Sequence, residues 1–122
     1  MQRKVYEPLR KKGDFKKTFD LGLKFPSKYL ITYARPNGLS STRLGLSVSR
    51  KIGNAVVRNR IKRRLREVMR TQLTGRSLGY DLVIVARSAS VKAAFADLTH
   101  AVCRFLSGLA HEDISGIHHT TV

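Results

Sequence analysis

The hydrophobic positions of the chain alternate with a period of two in some segments and recur every three or four residues in others. Residues 24–35 alternate in the strand pattern, with a break at Pro26, and residues 43–49 do the same. The apolar run 80–86 is short and rich in β-branched residues, which is typical of a buried strand. The sequence therefore predicts four strands, because the break divides the first segment in two.

Helical spacing occurs in three places. Asp14 is the predicted N-cap of a short helix that ends at Gly22 and carries Phe15, Thr18 and Phe19. A longer helix begins after Asn54, and its apolar stripe consists of Val57, Ile61, Leu65, Val68, Met69 and Leu73. The last helix is predicted over residues 90–110, with a stripe of Val91, Phe95, Leu98, Val102, Phe105 and Leu109.

The order of these elements, αβββαβα, predicts an α+β sandwich with a small four-stranded sheet. Helices are expected to cover one face of the sheet and to leave the other partly open. The length of 122 residues corresponds to one domain, residues 1–122. Residues 1–12 are predicted to form a loose basic arm, and residues 111–122 a flexible polar tail that contains His residues.

Charge changes this picture from a generic small domain to a binder of polyanions. The formal net charge is +16, and residues 1–70 hold 20 basic against 4 acidic residues, so they account for all of it. Nine basic residues and one acid fall between Arg50 and Arg70. Such a surface repels itself unless a polyanion neutralises it, with nucleic acid as the first candidate and an anionic membrane as the second.

The basic residues of the long helix favour nucleic acid over the alternatives. An ordinary solvated helix pairs opposite charges at i, i+4, whereas Glu67 is the one acid here. A membrane-surface helix would carry Trp or Phe anchors opposite its charges, and this helix has none. Arg is preferred to Lys along it, which suits bidentate contacts with phosphate.

Aromatic residues near the first helix suggest a second kind of contact. Phe15 and Phe19 are spaced at i, i+4 beside lysines, and Tyr29 and Tyr33 follow in the next strand. Bases of single-stranded RNA stack on such rings. Aromatic residues at helical spacing are more often core residues, so the pattern alone favours packing for Phe15 and Phe19.

Groups that could carry catalysis are few. The acids of the basic half are scattered, and no Ser-His-Asp grouping, P-loop or metal-ligand spacing is present. The single Cys103 falls in an apolar helical pattern and is interpreted as a buried thiol, in keeping with a cytosolic protein. No secretory signal or membrane span is evident. From its residues alone, the chain is predicted to bind and not to catalyse, with no catalytic residue, no metal and no cofactor of its own.

One segment resembles the protein subunit of bacterial ribonuclease P. Residues 43–67 read RLGLSVSRKIGNAVVRNRIKRRLRE. The family shows a strand of the form R-L-G-hydrophobic-S-V-S, a basic pair, G-N-A-V, and an Arg-Asn-Arg helix followed by K-R and R-E. Arg50 stands where the family often has Lys. The flanks agree more loosely, and the resemblance covers about residues 9–109, including Asp14-Phe15, Phe19, Gly22, Tyr33 and Asp81-Leu82-Val83.

The resemblance implies a fold, a partner RNA and two sets of contacts. The fold would be a single sandwich with a left-handed βαβ crossover, as in the ribosomal-protein-S5-domain-2-like fold. The RNA subunit and its Mg²⁺ ions would cleave the 5′ leader from precursor tRNA in the cytoplasm, and no obligate protein partner is implied. The residues expected at the catalytic RNA are Arg50, Lys51, Asn54, Arg58, Asn59, Arg60, Lys62, Arg63, Arg64 and Arg66. Those expected at the leader, in a cleft between the first helix and the sheet, are Phe15, Lys16, Phe19, Tyr33 and Arg43.

Three other functions remain as alternatives at this point. A ribosomal or other structural RNA-binding protein would need the basic helix but not a single-strand cleft. A DNA-binding regulator would place the basic helix in the major groove, but no short helix precedes it to form a helix-turn-helix. A self-sufficient nuclease would need a cluster of carboxylates.

Overall fold

The computed structural model describes residues 5–75 and 78–120, and side chains up to Ala110. Five strands and three helices follow in the order β1-α1-β2-β3-β4-α2-β5-α3, with a 3₁₀ turn before α3. The strands are β1 (Glu7–Pro8), β2 (Leu23–Pro26), β3 (Leu30–Pro36), β4 (Arg43–Ser47) and β5 (Tyr80–Ala86). The helices are α1 (Lys12–Leu21), α2 (Ala55–Gln72) and α3 (Phe95–Thr120), and the 3₁₀ turn is Ser88–Lys92.

The strands form one mixed sheet in the order β1-β4-β5-β3-β2. β2 and β3 form an antiparallel hairpin, β3 is antiparallel to β5, and β4 is parallel to β5 and to β1. The α+β class and the order αβββαβα are confirmed once β1 is set aside. The predicted count of four strands is wrong, because the described residues include a fifth, the two-residue strand β1. α2 joins the parallel neighbours β4 and β5, and the left-handedness of that crossover stays a prediction.

The hydrophobic core lies between one face of the sheet and the helices α2 and α3. Even-numbered residues of β3 and β5 face it, because alternate residues of a strand point to opposite sides. The stripe predicted for α2 is confirmed, with Val57 half-buried and the other five residues buried. The stripe of α3 is confirmed from Leu98 onward, but Phe95 is 44% exposed and Val91 lies in the 3₁₀ turn.

The helix α1 packs on the other face of the sheet. Its Thr18 is fully buried, and Phe15 lies over Gly45 of β4. The odd-numbered residues of β3, β4 and β5 face α1, in registered rows such as Tyr33, Val83 and Gly45. In the next row, Ile31 and Val85 are only half-buried. This face is therefore partly open, as expected, but the expectation that helices cover only one face is wrong, because α1 packs here and forms one wall of the opening.

The arm is the first of four local predictions that the structure corrects. From Val5 onward it is attached, because the N–H groups of Glu7 and Leu9 donate to the carbonyl oxygens of Thr42 and Leu44, at 2.8 and 2.9 Å. Leu9 is buried, and Val5 packs against the core, so apolar contacts hold the segment in place. The first four residues lie outside the described part.

The ends of the helices account for the other three corrections. α1 begins after Lys11, so Asp14 is in its first turn and is not its N-cap. The last helix begins at Phe95, because residues 88–92 form the 3₁₀ turn, and its backbone continues to Thr120 where a tail was predicted. Residues 121–122 lie outside the described part.

Candidate nucleic-acid interface

The first candidate surface is the side of α2 that faces away from the core. We call it the basic face, and it consists of Asn59, Arg60, Arg63, Arg66 and Arg70, all exposed. Arg58, Lys62 and Arg64 lie half-buried on its flanks. The guanidinium of Arg64 donates to the carbonyl oxygen of Ala93 at 3.3 Å, so this side chain also ties α2 to the 3₁₀ turn.

The acid of this helix neutralises one end of the basic face. Glu67 pairs with Arg70 one turn later, with the shortest N–O distance at 2.6 Å and both side chains half-exposed. Within the described part of the chain, the salt bridges leave Arg60, Arg63 and Arg66 without a carboxylate partner. Arginines one helical turn apart repel one another in this arrangement, and phosphate groups would relieve that repulsion.

The turn that leads into α2 adds two further cations. Arg50 and Lys51 are exposed on it, and its shape is held by the N–H of Ile52 donating to the carbonyl oxygen of Ser49 at 3.0 Å. Asn54 is the N-cap, as predicted, and its side-chain oxygen accepts from the N–H of Val57 at 3.0 Å. The side-chain oxygen of Asn54 is engaged in this cap, and its NH₂ group is the part that could donate to an RNA.

The second candidate surface is the opening beside α1, which we call the α1 cleft. Phe15, Phe19 and Tyr33 form a connected aromatic group there, as the pattern of rings suggested. The centroids of Phe15 and Phe19 are 6.5 Å apart, and Phe19 meets Tyr33 edge-to-face at 4.9 Å. Phe19 is 38% exposed, so its ring is accessible to a base.

Phe15 is both a packing residue and a wall of the α1 cleft. It is half-buried, and its ring lies directly over Gly45, where a Cβ atom would come within 2.7 Å of its Cε1. Only glycine at this position of β4 lets the ring approach the sheet so closely. Three of the four rings predicted from aromatic spacing are therefore brought together, with Phe15 seated more deeply than Phe19. The prediction is wrong for Tyr29, which lies in the turn before β3 and faces residues of α3.

Two lysines lie at the edges of this group. Lys16 is paired with Asp20 at 2.7 Å, and this hydrogen bond raises the pKa of the lysine. Because both side chains are more than half exposed, water screens the pair and a phosphate could replace it. Lys24 was missed by the sequence analysis. It is paired with Tyr33 across β2 and β3, so its side chain belongs to the same sheet face as the cleft.

A buried carboxylate that the sequence patterns did not reveal lies at one end of the α1 cleft. Asp81 of β5 is fully buried and accepts two hydrogen bonds from Arg43, each at 2.7 Å. Arg35 and Asn37 also donate to it, at 3.1 and 3.0 Å. Arg35 and Arg43 are the registered neighbours of Asp81 on either side, so one row of three charges crosses three strands.

These contacts make Arg43 a residue that supports the cleft. Its remaining terminal nitrogen is 3.4 Å from the carboxylate of Asp14, which links the sheet to α1. All three guanidinium nitrogens therefore have carboxylate partners, and the bond to Asp81 raises the pKa of Arg43. A contact between Arg43 and a leader stays a prediction.

The same contacts keep Asp81 ionised. Burial by itself would raise the pKa of this carboxyl, but hydrogen bonds from Arg43 and Asn37 and the charges of both arginines act in the opposite direction. The pKa of Asp81 in the folded protein is therefore below its usual value.

The described residues hold no group of three or more His, Cys, Asp or Glu side chains that could bind a metal ion. In the same part of the chain, no helix is long and apolar enough to cross a membrane. Cys103 is half-buried, with its sulfur 3.1 Å from the side-chain oxygen of Gln72.

Comparison with known proteins identifies the same family throughout. A family model described as Ribonuclease P matches residues 4–110. The Ribonuclease P protein component of Clostridioides difficile is 38% identical over 95 residues, which are 77% of this chain and 83% of the relative. The structure of the RNase P protein from Thermotoga maritima has a TM-score of 0.74 and 31% identity, over 82% of this chain and 94% of that one.

A second solved structure is a Staphylococcus aureus RNase P protein mutant described as defective in mRNA degradation activity. It has a TM-score of 0.77 and 29% identity, and the match covers 84% of this chain and 87% of that one.

The buried carboxylate leads to a prediction about stability. Asp81→Asn would leave two arginines facing a neutral amide, so the free energy of unfolding at pH 7 should fall by roughly 3–5 kcal/mol. Folding lowers the pKa of Asp81, so its ionised carboxylate stabilises the folded protein. This stabilisation is fully present above the pKa in the unfolded chain, about 3.9, and is lost as the pH falls through the pKa in the folded protein. Urea unfolding of the parent protein and of Asp81→Asn should therefore show a difference in the free energy of unfolding that narrows below about pH 4.

Glu67→Gln is the matched control, since it also removes a carboxylate that is paired with an arginine, but at an exposed site. Its unfolding should stay close to that of the parent protein. Equal losses in the two variants would contradict a special role for Asp81.

Proposed function

Because the chain belongs to the ribonuclease P protein family, we propose that its two candidate surfaces bind two different RNAs. The family function is RNA binding in tRNA 5′-end processing. The basic face would bind the catalytic RNA subunit, and the α1 cleft would bind the 5′ leader of precursor tRNA. The observation that carries this assignment is that α2 and α1 lie on opposite faces of one sheet.

The RNA subunit would carry out the cleavage with its own Mg²⁺ ions, in the cytoplasm where tRNA matures. The composition of the two surfaces supports this division. The basic face and the α1 cleft offer cations and rings, which position RNA. The carboxylates beside the cleft are already engaged by cations, Asp14 and Asp81 by Arg43 and Asp20 by Lys16. The protein would raise the affinity for precursors by holding a segment that mature tRNA lacks.

A structural RNA-binding role without turnover is the alternative, and family membership disfavours it. The α1 cleft disfavours it too, because a scaffold protein has no need of exposed rings beside a sheet. The Staphylococcus aureus relative raises a different question, since mRNA degradation is attributed to that protein. An mRNA substrate therefore belongs in any test of this chain alone.

The chain by itself should cleave neither precursor tRNA nor an mRNA fragment. The test incubates protein freed of co-purified RNA with each substrate and Mg²⁺, and then adds the catalytic RNA. Cleavage at the mature 5′ end should appear only after this addition. Cleavage of either substrate without the RNA subunit would contradict the proposed division of labour.

Assembly with the catalytic RNA should depend on the basic face. If 6–10 phosphates are neutralised, affinity should fall by roughly 10³–10⁵ between 50 and 200 mM salt. Arg60→Ala with Arg63→Ala removes two exposed cations, so the slope of log affinity against log salt should decrease by about two. Filter binding over a salt series measures both quantities.

The control removes two exposed cations elsewhere, through Lys11→Ala with Lys12→Ala at the start of α1. This pair should leave the salt slope for the catalytic RNA unchanged. If both double variants lower the slope equally, net charge and not the basic face determines assembly.

Phe19→Ala should weaken binding of precursor tRNA to the assembled particle by about 1–3 kcal/mol, the range for loss of one stacked base. Binding of mature tRNA should not change, because it has no leader. Phe19 suits this test better than Phe15, whose removal would also disturb packing on Gly45. Phe95→Ala is the control, since Phe95 is 44% exposed and lies outside the α1 cleft. An equal loss for precursor and mature tRNA would remove Phe19 from the leader site.

A further inference from the structure

A cavity of about 540 Å³ lies between the β2–β3 turn and the first half of α3. Leu30 and Thr32 of β3 line it, so it opens on the sheet face that carries α2 and α3. It shares no residue with the basic face, and Phe15, Phe19 and Tyr33 of the α1 cleft are absent from its walls, although Lys24 at the edge of that cleft also lines the cavity. The function proposed above leaves this cavity without a role.

Aromatic rings form much of the wall. Phe25 and Tyr29 are half-buried, and Phe105 is buried behind them. The rings of Phe25 and Phe105 meet edge-to-face at 5.2 Å, which fixes the plane of Phe25. Gly108 of α3 brings the helix close to Phe25, since a Cβ atom there would be 3.1 Å from its Cε1.

The charges around the cavity are mainly positive. Lys24, Lys28, His100 and Arg104 line it, together with one acid, Asp97. The carboxylate of Asp97 accepts from the N–H of Ala94 at 3.0 Å, so it is engaged at the start of α3. Within the described residues, no salt bridge joins Lys28 or Arg104 to an acid, and the ammonium of Lys28 lies 5.4 Å from the centre of the Tyr29 ring.

The β2–β3 turn, which carries Lys28 and Tyr29, is held in place by hydrogen bonds. The hydroxyl of Ser27 accepts from the N–H of Leu30 at 3.1 Å and donates to its carbonyl oxygen at 2.8 Å. Arg87 directly follows β5; its side chain donates to the carbonyl oxygen of Ser27, and its backbone N–H donates to that of Tyr29, both at 2.9 Å. A ligand would meet a wall that is already ordered, which lowers the entropy lost on binding.

We propose that this cavity binds a nucleoside monophosphate unit, either free or within a single strand of RNA. Its volume falls in the range of small-molecule sites, roughly 300–1,000 Å³. The rings of Phe25 and Tyr29 offer apolar surface to a base. Arg104 and Lys28 supply the donors that a phosphate needs. This ligand goes beyond the role in tRNA maturation, because the cavity shares only Lys24 with the surfaces assigned to that role.

The test titrates the full chain, without catalytic RNA, with four probes followed by NMR of backbone amides. The probes are adenosine 5′-monophosphate, adenosine, inorganic phosphate and a 5′-phosphorylated triadenylate. We expect the monophosphate and the triadenylate to shift residues 27–30 and 97–105, and to bind more tightly than adenosine or phosphate. Arg104→Ala should raise the Kd of the monophosphate roughly tenfold or more, as loss of a charged hydrogen bond does. Lys92→Ala removes an exposed cation outside the cavity and should leave the Kd unchanged.

The two sources of the ligand are separated by the probes themselves. Tighter binding of the triadenylate supports an RNA strand, and equal or tighter binding of the monophosphate supports a free nucleotide. The proposal is overturned if the shifts fall on α2 and not on the cavity, if the two variants behave alike, or if phosphate or adenosine alone binds as tightly as the monophosphate. Thermal unfolding of Arg104→Ala, an exposed position, verifies that the variant is folded. Because no catalytic RNA is present, the result is independent of whether the chain assembles with one.

Discussion

One buried carboxylate ties together the central strands on which α1 packs. Asp81 lies on the central strand β5 and binds the arginines of the two strands beside it, and one of these arginines also reaches Asp14 of α1. A fully buried ion is costly unless it is paired and hydrogen-bonded, and this one accepts hydrogen bonds from three side chains. The row fixes the relation of three strands and one helix at the place where the α1 cleft begins.

The sheet allows two surfaces of different chemistry to coexist in a chain of 122 residues. α2 keeps a dense row of arginines because its opposite side is anchored by buried Ile61, Leu65, Val68 and Met69. Burial of that stripe outweighs the repulsion among exposed cations, which water and salt screen. The aromatic group lies on the other face of the sheet. A long RNA bound on α2 and a single strand beside α1 would therefore not compete for the same space.

The sequence predicted what depends on local spacing and missed what depends on distant partners. The stripe of α2, its Asn54 cap and the alternation of β3 are periodic patterns, and each is confirmed. Strand β1 has only two residues and no period to detect, so the arm looked loose. Asp81 looked like a single acid in an apolar run, since its partners Arg35 and Arg43 lie 46 and 38 positions away. Lys24 was missed for a similar reason, because only the register of β2 against β3 places it beside Tyr33.

Phe15 shows why core and binding site are not exclusive descriptions in so small a domain. Aromatic spacing alone favoured a core role, and the family resemblance favoured the leader. The structure places the ring half-buried on Gly45, against a neighbour that is 38% exposed. A ring that packs on a strand through one face has little freedom left to lose when a base approaches it. The missing side chain at Gly45 thus makes Phe15 a rigid wall, and that rigidity is what a cleft for a flexible single strand requires.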